Sequence, residues 1–191
     1  MRNIVFDIET KFDFAASATF DPSKMELSIV CIYDSETGRY ESFLESELPR
    51  LWPILERADM LIGYNSDHFD IPILNRYYPG DLSKIKSLDL LIEVKNSLGR
   101  RLRLDSLAEA TLGRKKTASG LQAVKWWNEG QIEKVREYCI EDVRITKELY
   151  DHALRTGYLR YKDLGQLRDI KLDTSEWEVK RASGLTHSLP F

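Results

Sequence analysis

The chain opens on an apolar run that no capping residue precedes. Asn3-Ile4-Val5-Phe6-Asp7-Ile8-Glu9 predicts a strand that starts almost at residue 1 and lies centrally in a sheet. A polar segment over 11–24 leads to a second apolar run at 27–33. The turn Asp34-Ser35-Glu36-Thr37-Gly38 then connects to 40–44, where polar and apolar residues alternate with period two. Three antiparallel strands follow from this pattern. Leu48, Leu51, Trp52 and Leu55 recur at helical spacing within 47–58, with Pro49 tolerated in the first turn. A short strand at 60–64, broken by Gly63, precedes a helix over 71–78 and a strand at 85–88. Helical stretches over 104–112 and 119–127 come next. The longest periodic segment, 131–155, predicts a helix of about six or seven turns. A hairpin-like segment, 158–172 with Gly165 near its middle, closes the ordered part. A meander followed by βα units argues for an α/β sheet of mixed strand direction.

A length of 191 residues, with 42% hydrophobic and 31% charged content, suits one globular domain with a proper core. That domain is expected over 1–172, leaving 173–191 as a tail. Ten glycines and six prolines are near average usage and exclude a collagenous or broadly disordered chain. No apolar run approaches the roughly 18 residues of a membrane span, and no signal-peptide stretch opens the chain. A cytosolic protein without a membrane partner is expected. Cys31 and Cys139 lie in apolar segments without CxxC spacing, so buried thiols are expected rather than a disulfide or zinc site.

The 28 basic and 31 acidic residues give a net charge of −3, which argues against a generic nucleic-acid coat protein. A nucleic-acid partner would need a local basic stripe, or cations bridging acidic residues to phosphate. Residues 95–116 offer such a stripe. Lys95, Arg100, Arg101, Arg103, Arg114, Lys115 and Lys116 stand there against Asp105 and Glu109, a local charge of +5.

Three separated segments place carboxylates at the ends of apolar elements. Asp7 and Glu9 are two apart on the first strand and leave the same face of its pleat. Buried carboxylates in so apolar a run need compensation, which a divalent cation can supply. Asp70 follows Gly63-Tyr64-Asn65-Ser66-Asp67-His68-Phe69 at the join of a strand and a helix, where ligand sites gather. Tyr138 and Asp142, four apart, share one face of the long helix. Hard oxygen donors without Cys or His suit Mg²⁺ or Mn²⁺ rather than zinc. Two such ions about 4 Å apart can activate water against a phosphodiester and stabilise the leaving oxygen.

These segments resemble, in order, the three motifs of the DEDD superfamily of 3′→5′ exonucleases. Phe6-Asp7-Ile8-Glu9-Thr10 is similar to the first motif. Gly63-Tyr64-Asn65-Ser66 with Phe69-Asp70-Ile71-Pro72-Ile73-Leu74 resembles the second as found in proofreading domains of B-family DNA polymerases and stand-alone YprB-like exonucleases. Tyr138-x-x-x-Asp142 resembles the third motif of the tyrosine branch. None of His68, His152 or His187 lies four or five residues before Asp142, which sets the histidine branch aside.

The resemblance implies a ribonuclease H-like fold, its five-stranded mixed sheet flanked by helices. It also implies two metal ions, held by Asp7, Glu9, Asp70 and Asp142, and a Tyr138 that hydrogen-bonds the attacking water. Hydrolysis of single-stranded or frayed DNA or RNA from the 3′ end, releasing nucleoside monophosphates, would follow. Thr10, Asn65, Arg114, Lys115 and Lys116 are candidate substrate contacts, with Arg100 to Arg103 in the same groove. Asn65 could instead brace its loop. His68 and Asp67 could touch the terminal nucleotide or be solvated, and Asp89 could support the metal site. Phe12, Phe14 and Phe20 could stack on bases or cover the core. A structure-specific endonuclease and a non-catalytic nucleic-acid-binding module are the alternatives.

Overall fold

A computed structural model of the chain describes residues 1–12, 21, 24–114 and 119–179. At its centre lies β1 (Asn3–Thr10). β2 (Leu27–Asp34) pairs with it antiparallel, and β3 (Arg39–Leu44) pairs antiparallel with β2. On the other side, β4 (Met60–Gly63) and β5 (Ser87–Asp89) add in parallel, giving the order β3-β2-β1-β4-β5. The three antiparallel strands and two βα strands are those the hydrophobic pattern predicts.

Both faces of the sheet are covered, which is why β1 reads as nearly continuous apolar sequence. Ile4, Phe6 and Ile8 point into one layer with Leu51 and Leu55 of α1 (Leu48–Glu56) and Ile71 and Leu74 of α2 (Asp70–Leu74). Val5 points into the other, with Cys31, Ile62 and the inner face of α6 (Ile132–Thr156). By alternation, Asp7 and Glu9 lie on the α6 side.

α6 presents Val135, Tyr138, Cys139, Asp142, Val143, Thr146, Leu149, Tyr150 and Ala153 as one buried stripe at helical spacing. It runs antiparallel to β1. Asp142 meets the carboxyl end of that strand, while the Tyr150 hydroxyl meets Asn3 Nδ2 at its start, 3.4 Å away. The geometry closes: eight helical residues rise about 12 Å and four strand residues about 13 Å. Gly157, at φ 74°, ends the helix in the left-handed conformation.

Between β5 and α6 lie α3 (Leu90–Leu98), α4 (Leu104–Leu112) and α5 (Gly120–Asn128). α3 is an element that the sequence pattern did not single out. Asp89 caps it by accepting from the Leu91 amide, and Gly99 closes it at φ 78°. α2 is shorter than the expected 71–78. Asn75 leaves the helix, and its side-chain oxygen instead accepts from the Leu82 amide at 2.8 Å. A separate hairpin, β6 (Tyr158–Asp163) and β7 (Gln166–Lys171), turns at Leu164 and Gly165, both at positive φ.

Residues 173–179 dock on the core. Trp177 is buried and stacks on Tyr150, with ring centroids 5.6 Å apart. Lys86 Nζ donates to the carbonyls of Glu176, Trp177 and Val179 at 2.8–3.0 Å. Among the described residues, no helix is long and apolar enough to cross a membrane.

Candidate active site

Asp7, Glu9 and Asp142 each offer a carboxylate oxygen within 4.8 Å of the other two. Two come from the carboxyl end of β1 and the third from α6 above it. At that spacing each charged pair repels by roughly 3 kcal/mol at an effective dielectric near 20. Asp7 Oδ2 and Asp142 Oδ1 are buried and accept no hydrogen bond among the described residues. A hard divalent cation fits this donor set, supplying the positive charge that three converging carboxylates need.

Tyr138 sits one helical turn before Asp142 and is 8% exposed. Burial, and after it the charges of Asp142, Glu9 and Asp7, push its phenol far above the ordinary tyrosine value. The hydroxyl therefore stays protonated and donates to Asp142. Trp126 of α5 packs edge-on against the ring, centroids 6.4 Å apart. Beneath the cluster the Cys139 thiol donates to the main-chain carbonyl of Asp7 at 3.4 Å, and both cysteines are free and buried, as expected.

Asp70 stands outside the tight group but adjoins it through β1. Its Oδ1 accepts from the Ile8 amide at 3.1 Å, between Asp7 and Glu9. β4 registers only with Asn3 to Val5, so Ile8 lies beyond the parallel ladder and its amide meets a side chain instead. Burial, and then the charges of Asp89 and Asp67, push the Asp70 carboxyl up to about 8, against the opposing hydrogen bond from Ile8.

The loop from Gly63 to Asp70 is shaped by two constraints. A Cβ on Gly63 would lie 2.4 Å from both Cβ and Oγ of the buried Ser66, so only glycine permits this approach. Asp89 holds the loop from the other side. Its Oδ1 accepts from the amides of Asn65 at 2.8 Å and Leu91 at 2.9 Å, and its Oδ2 from that of Asp67 at 3.1 Å. Asp89 is thus a positioning residue, and its place before the apolar run Leu90-Leu91 is the capping signal that marks it. Asn65 adopts φ 66°, an uncommon conformation for a residue with a side chain. Its Oδ1 accepts from Arg101.

The candidate substrate contacts fall in different places. Thr10 is buried at the end of β1, and its hydroxyl donates to the Phe12 carbonyl at 2.9 Å. Phe12 is exposed beside it. Arg114 is engaged by two carboxylates of α6, Glu141 at 2.8 Å and Glu148 at 2.7 Å. His68 is exposed, while the Asp67 carboxylate accepts from Ser87. Lys115, Lys116, Phe14 and Phe20 lie outside the described residues.

A β3-β2-β1-β4-β5 sheet, helices on both faces and acidic side chains at the carboxyl end of its central strand define a ribonuclease H-like domain. Whole-chain comparison agrees, because the model of the RNase H superfamily matches residues 4–154. The chain belongs to that superfamily. It is 23% identical to a DNA polymerase of Thermococcus litoralis over 96% of its length, and 24% identical to one of Thermococcus aggregans over the same share. It spans only 13% and 12% of those polymerases. The solved family B DNA polymerase of Pyrobaculum calidifontis superposes with a TM-score of 0.62 at 21% identity, over 80% of this chain and 24% of that one. The structural likeness is one of fold.

Proposed function

We propose that the chain is a metal-dependent 3′→5′ exonuclease of the tyrosine DEDD branch, acting on single-stranded or frayed DNA or RNA ends and releasing nucleoside monophosphates. The observation that carries this reading is the convergence of Asp7, Glu9 and Asp142 within 4.8 Å, with the Tyr138 hydroxyl beside them. Asp7, Glu9 and Asp142 would hold Mg²⁺ or Mn²⁺, with Asp70 alongside for a second ion. When bound, such ions supply Lewis acidity at the scissile phosphate and lower the pKa of the attacking water.

The rest falls to the chain's own groups. Tyr138, protonated at any ordinary pH, gives its single O–H to Asp142, and its oxygen is left to accept from a water held beside that carboxylate. Trp126 fixes its ring and limits solvent on that side. Asp89 sets the loop that presents Asp70 and Asn65, which leaves Asn65 as a polar contact for an incoming strand.

The test is a time course on linear and circular single-stranded DNA and on linear RNA, labelled at the 5′ end or blocked at the 3′ end, with Mg²⁺ or Mn²⁺. A ladder shortening from the 3′ end, arrest by the 3′ block and an intact circle are expected. Cleavage of the circle would reassign the site to an endonuclease. Binding without cleavage in either metal would make the chain a non-catalytic module.

A further inference from the structure

The arginines between α3 and α4, and the one that follows α4, are not equivalent. Arg100 turns to the hairpin, 3.7 Å from the Asp163 carboxylate and 5.3 Å above the Tyr161 ring. Arg103 pairs with Asp105 at 3.1 Å, and Arg114 with Glu141 and Glu148. Arg101 turns the opposite way, toward the loop that presents Asp70. It donates to the neutral side-chain oxygen of Asn65 and, among the described residues, pairs with no carboxylate.

Its position is fixed nonetheless. The Tyr64 hydroxyl donates to the Leu102 carbonyl at 2.8 Å, pinning the main chain one residue further on. Arg100 anchors the residue before. Asn65 is itself immobilised by its amide on Asp89. The outcome is an exposed guanidinium with one of its five donors spent on a neutral amide, beside the loop that presents Asp70.

We propose that Arg101 binds a main-chain phosphate of the nucleic-acid strand upstream of the scissile bond, as a strand-seating residue rather than a catalytic one. The inference rests on the nuclease reading above. A planar fork matches a phosphate bidentately, and a neutral partner positions the fork without cancelling its charge. The carboxylates of Asp67 and Asp89, which flank this loop, repel a polyanion, so a strand entering over it needs a cation at its edge. Since a phosphate carries no sequence information, Arg101 raises affinity without selecting bases.

The test compares Arg101→Gln and Arg101→Lys with the wild type. For a single-stranded oligonucleotide, Arg101→Gln is expected to raise KM about tenfold while kcat stays within about twofold. In an Asp7→Ala background, which holds the strand without cutting it, the same change lowers the salt slope of binding by about 0.7. Arg101→Lys keeps the slope and recovers part of the affinity. An aryl ester of a mononucleotide has no upstream phosphate, so its hydrolysis is unaffected. Unchanged KM and slope in Arg101→Gln overturn the assignment, as does an equal loss on the ester. A wild type that cuts neither substrate refutes the nuclease reading instead, while the slope still decides Arg101.

Discussion

The Asp70 carboxylate accepts a hydrogen bond from the main-chain amide of Ile8, so the first residue of α2 is fastened to β1 midway between Asp7 and Glu9. That bond places Asp70 beside the cluster at the cost of burying it. Its carboxyl titrates near 8 in the folded chain against 3.8 ordinarily. The folded state therefore keeps a proton that the unfolded state releases between these values. The stabilisation is full below about 4 and is lost as pH rises toward 8. Melting of the chelated protein at pH 5 and pH 8 should show this loss, and Asp70→Asn should melt higher than wild type at pH 8 with little difference at pH 4. A wild-type-minus-variant difference that does not change with pH would contradict it.

Mutual repulsion among Asp7, Glu9 and Asp142 makes the metal-free protein less stable than its packing allows. Asp142→Asn should raise the melting temperature in chelator, and hydrolysis should be lost. Saturating Mn²⁺ at 100 times its dissociation constant should stabilise the wild type by about 2.7 kcal/mol, with a much smaller shift in the variant. Differential scanning calorimetry with and without Mn²⁺ provides both numbers.

Tyr138→Phe keeps the ring against Trp126 and removes only the hydroxyl. Turnover should fall on the order of 10²-fold while the melting temperature changes little. Burial and three carboxylates keep the phenol protonated, so the wild type should show no alkaline loss of activity that the variant lacks. A pH–rate profile of the two proteins decides the point.

Trp177 lies beyond the expected end of the domain at 172 but packs as part of the core. Trp177→Ala should cost about 3 kcal/mol, typical of a buried tryptophan, and shift the urea midpoint accordingly. A change below about 0.5 kcal/mol, the range of ordinary surface substitutions, would mean that residues 173–179 contribute nothing to folding.

Much of this architecture is legible in the sequence because the signals are local. The five strands, the long helix, and acidic residues embedded in apolar runs all show within a few residues. What stays hidden depends on partners far along the chain. The basic run 95–116 looks uniform as a string, yet Arg114 meets glutamates 27 and 34 residues later, while Arg101 meets Asn65, 36 residues earlier. The early end of α2 depends on Asn75 reaching Leu82. α3 is the exception, since Asp89 and Gly99 bracket its apolar residues in plain view, and the short β5 before it blurs the change of period.

The side chains that organise this site bind main-chain atoms: Asp70 the amide of Ile8, Asp89 those of Asn65, Asp67 and Leu91, and Cys139 the carbonyl of Asp7. Every amino acid except proline carries the amide that such a bond requires. The hydrogen bonds at positions 8, 65, 67 and 91 therefore survive a change of side chain, provided proline is avoided, while burial still restricts 8 and 91 and the positive φ restricts 65. A site wired through the peptide backbone tolerates wide sequence drift, which gives a physical reason why a recognisable fold persists against the polymerase of Pyrobaculum calidifontis at 21% identity.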